Sequence, residues 1–130
     1  MHYSKFIVAG VAGLLVAVST AKLLAATGDH AYFTCSPSTV AVTNDASPNQ
    51  RITVGCTTAV MDGTDSIIYF AVPASDAAYA NRFLTLATTA LTAGRTLTIG
   101  YQIGIFNTPG NVDFGCAKSN CRYARQINLN

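Results

Sequence analysis

Ser66-Ile67-Ile68-Tyr69-Phe70-Ala71-Val72-Pro73-Ala74-Ser75-Asp76, running on through Ala77 to Gly94, is the stretch on which the fold turns. Ser66 to Val72 is a continuous β-branched and aromatic run, the pattern of a central strand covered on both faces. Pro73 to Asp76 ends that strand and opens a helix, because Ser75 or Asp76 can accept a hydrogen bond from a free N–H of the first turn. Ala80, Phe83, Leu84, Ala87 and Leu91 then recur at helical spacing and predict the inward stripe. Gly94 follows Ala93 as the expected left-handed terminator.

Working outward, both flanks read as β. Upstream, Tyr32 to Thr43 is one strand interrupted by the turn Ser36-Pro37-Ser38, and Asn44 to Gln50 is a loop on composition. Arg51 to Cys56 alternates, with Ile52, Val54 and Cys56 on one face. Asp62-Gly63-Thr64-Asp65 reads as a polar hairpin turn. Its two carboxylates offer calcium only a weak pair, without the alternating ligands and terminal Glu of an EF-hand loop. Downstream, Thr96 to Ile103 alternates with Leu97, Ile99, Tyr101 and Ile103 together. A loop rich in Asn, Pro and Gly follows from Phe106 to Val112, and Tyr123 to Leu129 is the final strand. The expected class is mainly β (α+β): a small five-stranded OB-like barrel, with one helix between the third and fourth strands.

Four cysteines stand in this pattern, Cys35, Cys56, Cys116 and Cys121, and none lies in the first 34 residues. Ahead of them a basic start at Lys5 precedes the apolar run Phe6 to Val18 and the small residues Ser19, Thr20 and Ala21. That is the build of a secretory signal peptide over residues 1–26, with cleavage after Ala21 or Ala26. The run is short for a membrane span, which needs about 20 apolar residues, so membrane contact is expected only transiently through the leader. Residues 27–130 then form a single disulfide-stabilised domain, periplasmic or secreted. Cys35 and Cys56 fall on the first two strands, expected to be neighbours, and Cys116 and Cys121 enclose a short loop before the last strand. Four cysteines allow three pairings, and the sequence alone does not choose among them.

Composition narrows the function classes. The chain has 130 residues, a formal charge of +2 with Lys5 and Lys22 in the leader, no Glu, no Trp and two His. A near-neutral domain has no broad attraction for nucleic acid. His2 lies in the leader and His30 just ahead of the first cysteine, so general acid–base pairs are scarce. Oxidised cysteines leave no thiolate nucleophile or zinc ligand, and no metal or cofactor is expected. Arg82, Arg95, Arg122 and Arg125 could hold an anion in a secreted enzyme, but solvated surface arginines are the default expectation.

With an early cysteine pair, the strand-then-helix segment Ile67 to Leu91 ending in Ala90-Leu91-Thr92-Ala93-Gly94-Arg95, and Gly115-Cys116-Ala117-Lys118-Ser119-Asn120-Cys121-Arg122 near the end, the chain resembles the B subunits of bacterial toxins of the subtilase-cytotoxin and typhoid-toxin type. The resemblance covers most of residues 27–130. It implies a pentamer of OB-type barrels that holds cell-surface sialylated glycans and accompanies a separate A subunit. In that family a serine after an aromatic pair near the mature N-terminus grips the sugar. Here Tyr32-Phe33-Thr34 is the comparable stretch, with Tyr32 and Thr34 as glycan-binding candidates. Thr34 stands in the serine's place, and Cys35 follows at once, which departs from the pattern. The alternative is that Tyr32 and Phe33 are ordinary strand residues. The expected function is therefore a non-enzymatic exported domain binding a ligand or partner, with a structural protein of the bacterial envelope as the other reading.

Overall fold

The computed structural model describes residues 30–46, 49–103 and 114–130. The expected leader and the loop from Phe106 to Val112 lie outside the described residues. The elements are β1 (His30–Cys35), β2 (Pro37–Thr43), β3 (Arg51–Asp62), β4 (Asp65–Pro73), α1 (Ala77–Ala93), β5 (Leu97–Gln102) and β6 (Cys121–Leu129). They form one curled, half-barrel sheet of six strands in the order β1-β5-β6-β4-β3-β2, with α1 packed against it. Every pairing is antiparallel except β4 with β6.

Six strands replace the expected five because the break at Ser36 is more than a local turn. Pro37 has no N–H to continue a ladder. The chain on either side of Ser36 goes to opposite edges of the sheet, β1 pairing with β5 and β2 with β3. The bend is anchored: the Thr57 N–H donates to the Ser36 carbonyl at 2.9 Å, and the Ser38 hydroxyl to the Gly55 carbonyl at 3.1 Å.

Cys35 is therefore not on a strand hydrogen-bonded to that of Cys56; β5, β6 and β4 lie between β1 and β3 in the sheet order. Flat strands spaced about 4.8 Å apart would leave β1 and β3 about 19 Å distant. The Cys35–Cys56 disulfide nonetheless joins them with a Cα–Cα distance of 5.3 Å, which only a curled sheet permits. The second disulfide joins Cys116 to Cys121, and no described cysteine is free. Bridges of this kind persist in oxidising compartments.

The inside of the curl is the core, built around Phe70, whose ring lies 5.8 Å from that of Phe33 and 5.3 Å from that of Tyr101. The central-strand expectation holds for β4 in its second half. Phe70 and Val72 enter the main core, while Ala71 faces the other way and is covered by Phe114, Cys116 and Cys121. Ile67 also faces inward, out of step with Phe70. The N–H groups of Ile68 and Tyr69 both donate to the Asn120 carbonyl at 3.0 Å, a two-on-one bulge that resets the alternation.

Asp76 caps α1, its carboxylate accepting from the Tyr79 N–H at 3.1 Å, and Gly94 ends the helix with φ of 63°. The buried stripe is Ala80, Phe83, Ala87 and Ala90, with Leu84 half-buried. Leu91, expected inward, is 37% exposed: the helix lies on the sheet with small alanines against it, and Ala90 takes the contact instead. In β5, Leu97, Ile99 and Tyr101 face the core as expected, and Ile103 is half-buried just beyond the strand's end.

Candidate functional site

Because side chains alternate across a strand, the residues of β1 that do not enter the core form an outer set: His30, Tyr32 and Thr34. Their register partners on β5 are Gln102, Gly100 and Thr98. The register carries two of these rows on to β6, giving Tyr32–Gly100–Gln126 and Thr34–Thr98–Asn128. The sequence candidates Tyr32 and Thr34 thus stand on one face, two residues apart on an outer strand of the sheet.

The geometry of this face is set by Gly100. A Cβ there would meet the Tyr32 ring at 2.9 Å, so the absence of a side chain lets the ring lie down on the β5 backbone. The ring still exposes 63% of the residue's surface, and its hydroxyl reaches Gln126 Oε1 at 3.5 Å. The second row is hydroxyl and amide throughout. The Thr98 hydroxyl donates to Asn130 Oδ1 at 3.0 Å, and Asn130 Nδ2 donates to Thr96 Oγ1 at 3.1 Å. The Thr34 hydroxyl makes no hydrogen bond among the described residues and is exposed. An exposed ring flanked by hydroxyls and carboxamides offers a stacking surface together with both donors and acceptors.

One end of the face carries charge. Arg125 is the extra residue of a bulge in β6, since Gly100 pairs with Gln126 and Tyr101 with Ala124. Its guanidinium lies 4.0 Å from the Tyr123 ring centroid and donates through Nη2 to Gln102 Oε1 at 3.1 Å. Below it, the Tyr79 hydroxyl donates to the Ala124 carbonyl at 3.1 Å. Burial, reinforced by the neighbouring Tyr123, pushes the Tyr79 phenol up to about 12.

The other sequence candidates separate. Asp62 and Asp65 do flank a hairpin turn through Gly63, but both carboxylates serve Arg122, which is 2% exposed and not a solvated surface arginine. Arg122 Nε donates to Asp62 Oδ2 at 2.5 Å and Nη2 to Asp65 Oδ2 at 2.8 Å, while Nη1 holds the carbonyls of Lys118 and Cys121. Among the described residues no group of three or more His, Cys, Asp or Glu side chains is placed to hold a metal. Arg95 donates to the Asn130 carbonyl and Arg82 to that of Ala78, so each is engaged with backbone rather than set beside the other. Burial, and then the Asp62 carboxylate, push the Tyr101 phenol up, against the pull of Arg122.

Sequence reasoning missed Thr98, Gly100, Gln126 and Asn128 as partners of Tyr32 and Thr34. The alternation that placed Leu97, Ile99 and Tyr101 inward equally turned Thr98 and Gly100 outward, but nothing local says that β1 lies beside β5. No protein-family model matches this chain, and no curated protein matches it.

Proposed function

We propose that this chain is a non-enzymatic exported domain whose ligand is a glycan, held on the outer face of β1, β5 and β6. The observation that carries this is the Tyr32 ring lying exposed on Gly100 beside the Thr34–Thr98–Asn128 row. Sugars present apolar C–H faces that stack on aromatic rings and equatorial hydroxyls that pair with carboxamides and hydroxyls, and this face supplies both. We further take β1 and β2 as one strand bent at Ser36, making a five-stranded OB-like barrel. The order β1-β5-β6-β4-β3-β2, the parallel β4–β6 pair and a helix before β5 support that view. The two disulfides support export to the periplasm or beyond. On the toxin-B resemblance, the assembly would be a homopentamer with a separate A subunit.

The test is a glycan array probed with the oxidised domain and with Tyr32→Ala. Binding by the parent that the variant loses supports the proposal; a parent that retains no glycan leaves it without foundation. A second reading, an assembly protein of the envelope, is favoured by Val42, which is 65% exposed on β2, the terminal strand of the sheet. Light scattering bears on it: concentration-dependent association weakened by Val42→Lys, with no glycan bound, would favour assembly.

A further inference from the structure

In the other half of the strand order, the outer surface of β2, β3 and β4 is walled by the loop of the second disulfide. Between them is a cavity of about 270 Å³, lined by Tyr69, Arg51, Thr43, Thr53, Asn120 and the Cys116–Cys121 bridge. Its floor follows from register: Ala41 opposite Thr53 and Thr43 opposite Arg51 bring small side chains and one cation together. Tyr69 repeats the device seen at Tyr32. It pairs with Gly55, where a Cβ would meet its ring at 3.0 Å, and it remains 38% exposed.

Arg51 is held in place from one side. Its Nη1 donates to the carbonyls of Asn49 at 3.0 Å and Phe114 at 3.4 Å, and stands 3.7 Å from the exposed carboxylate of Asp45. Nε and Nη2 make no hydrogen bond among the described residues. A guanidinium oriented through one nitrogen, with its remaining edge unspent, is preorganised for a carboxylate, which it can meet with two parallel N–H donors. The rest of the lining is mostly carbon and sulfur around an aromatic ring, which suits a flat apolar body better than a polyol.

We propose that this cavity binds a small aromatic carboxylate, its acid group on Arg51 and its ring on Tyr69. The site is separate from the glycan face and does not depend on it. The probe is benzoate, titrated into the oxidised domain and followed by amide proton–nitrogen NMR, with acetate, benzyl alcohol and inorganic phosphate as parallel titrations. The expected result is a saturable benzoate shift at Thr53, Tyr69, Gly115 and Asn120, with the other three probes weaker by about tenfold or more, since each lacks the ring or the carboxylate. Arg51→Gln and Tyr69→Leu should each weaken benzoate by about tenfold. Should Arg51→Gln fail to fold, for want of its bonds to Asn49 and Phe114, Tyr69→Leu decides alone. The proposal is overturned by no benzoate shift at tens of millimolar, by phosphate or acetate matching benzoate, by variants that keep full affinity, or by shifts confined to Tyr32, Gly100 and Gln126.

Discussion

Replacing Arg122 by Met tests the ion cluster at the end of the β3–β4 hairpin. The Arg122 side chain is 2% exposed and that of Asp62 4%, so the substitution leaves a carboxylate out of reach of water and without its guanidinium. Removing one member of a buried pair typically costs about 3–5 kcal/mol, because the remaining charge is uncompensated. Asp65, 25% exposed, can rehydrate and adds little. The carbonyls of Lys118 and Cys121 lose their donor too, which places the expected cost at the upper part of that range. With a urea slope of about 2 kcal/mol/M, the midpoint should fall by about 2 M. The double variant Arg122→Met with Asp62→Asn should recover much of the loss, since no charge is then buried. Urea unfolding of the oxidised domain, followed by circular dichroism, gives all three midpoints. A single variant that shifts the midpoint by less than about 0.5 M, or a double variant no better than the single, would refute the reasoning.

Three other outcomes follow from the same structure. The Tyr79 phenol, raised to about 12 against 10.0 unperturbed, favours the neutral form in the folded state. Its stabilisation is whole below pH 10, where both states hold the proton, and is lost as pH rises toward 12 because the unfolded chain ionises first. With the ring half-buried, the loss across that window is about 1–2 kcal/mol, and Tyr79→Phe should reduce the slope of thermal stability from pH 9 to 12, leaving the share of the raised Tyr101 phenol; an unchanged slope would remove Tyr79 as a cause. Loop entropy gives the Cys35–Cys56 bridge, closing a separation of 21, about 3 kcal/mol and the Cys116–Cys121 bridge, closing 5, about 2 kcal/mol, so paired Cys→Ala variants should rank in that order by urea midpoint. Gly100→Ala, whose Cβ would stand 2.9 Å from the Tyr32 ring and 3.1 Å from Gln126 Cβ, should lift the ring and abolish the proposed glycan capture while costing about 1 kcal/mol of stability; retained capture would show that the ring's position on Gly100 is not what binds.

Local patterns were readable and long-range ones were not. A helix cap at Ser75 or Asp76, the Gly94 terminator and the inward set Leu97, Ile99 and Tyr101 all follow from spacing over a few residues, and the structure chooses Asp76. Two features escaped because their cause lies far along the chain. Arg122 follows Cys121 and looks like any surface cation, yet its carboxylate partners are 57 and 60 positions away. Ser36-Pro37-Ser38 reads as a turn within a strand, and only the pairings with β5 and β3 show that it divides two edges of the sheet. The misplaced Leu91 has a simpler origin, because periodicity alone does not say how wide a stripe the sheet will cover.

The division at Ser36 also explains why a cysteine stands immediately beside the candidate face. β1 is an outer strand with hydrogen bonds to β5 on one side, and its outward residues include exposed Tyr32 and Thr34, so little burial on that face holds it. What secures it lies at its end and on its inner side: Phe33 stacked near Phe70, and Cys35 fully buried and bonded to Cys56. Opposite the bend, Pro37 pairs with Cys56, so the disulfide ties the chain where it passes from one edge of the sheet to the other. On the proposed function, an outer strand presenting a fixed ring and hydroxyl to a ligand cannot fray without giving up preorganisation. A covalent link to β3 limits fraying without covering the face, which a packed helix would do. Cys35 directly follows Thr34, so the bridge to Cys56 ties down the strand that carries the proposed ligand face.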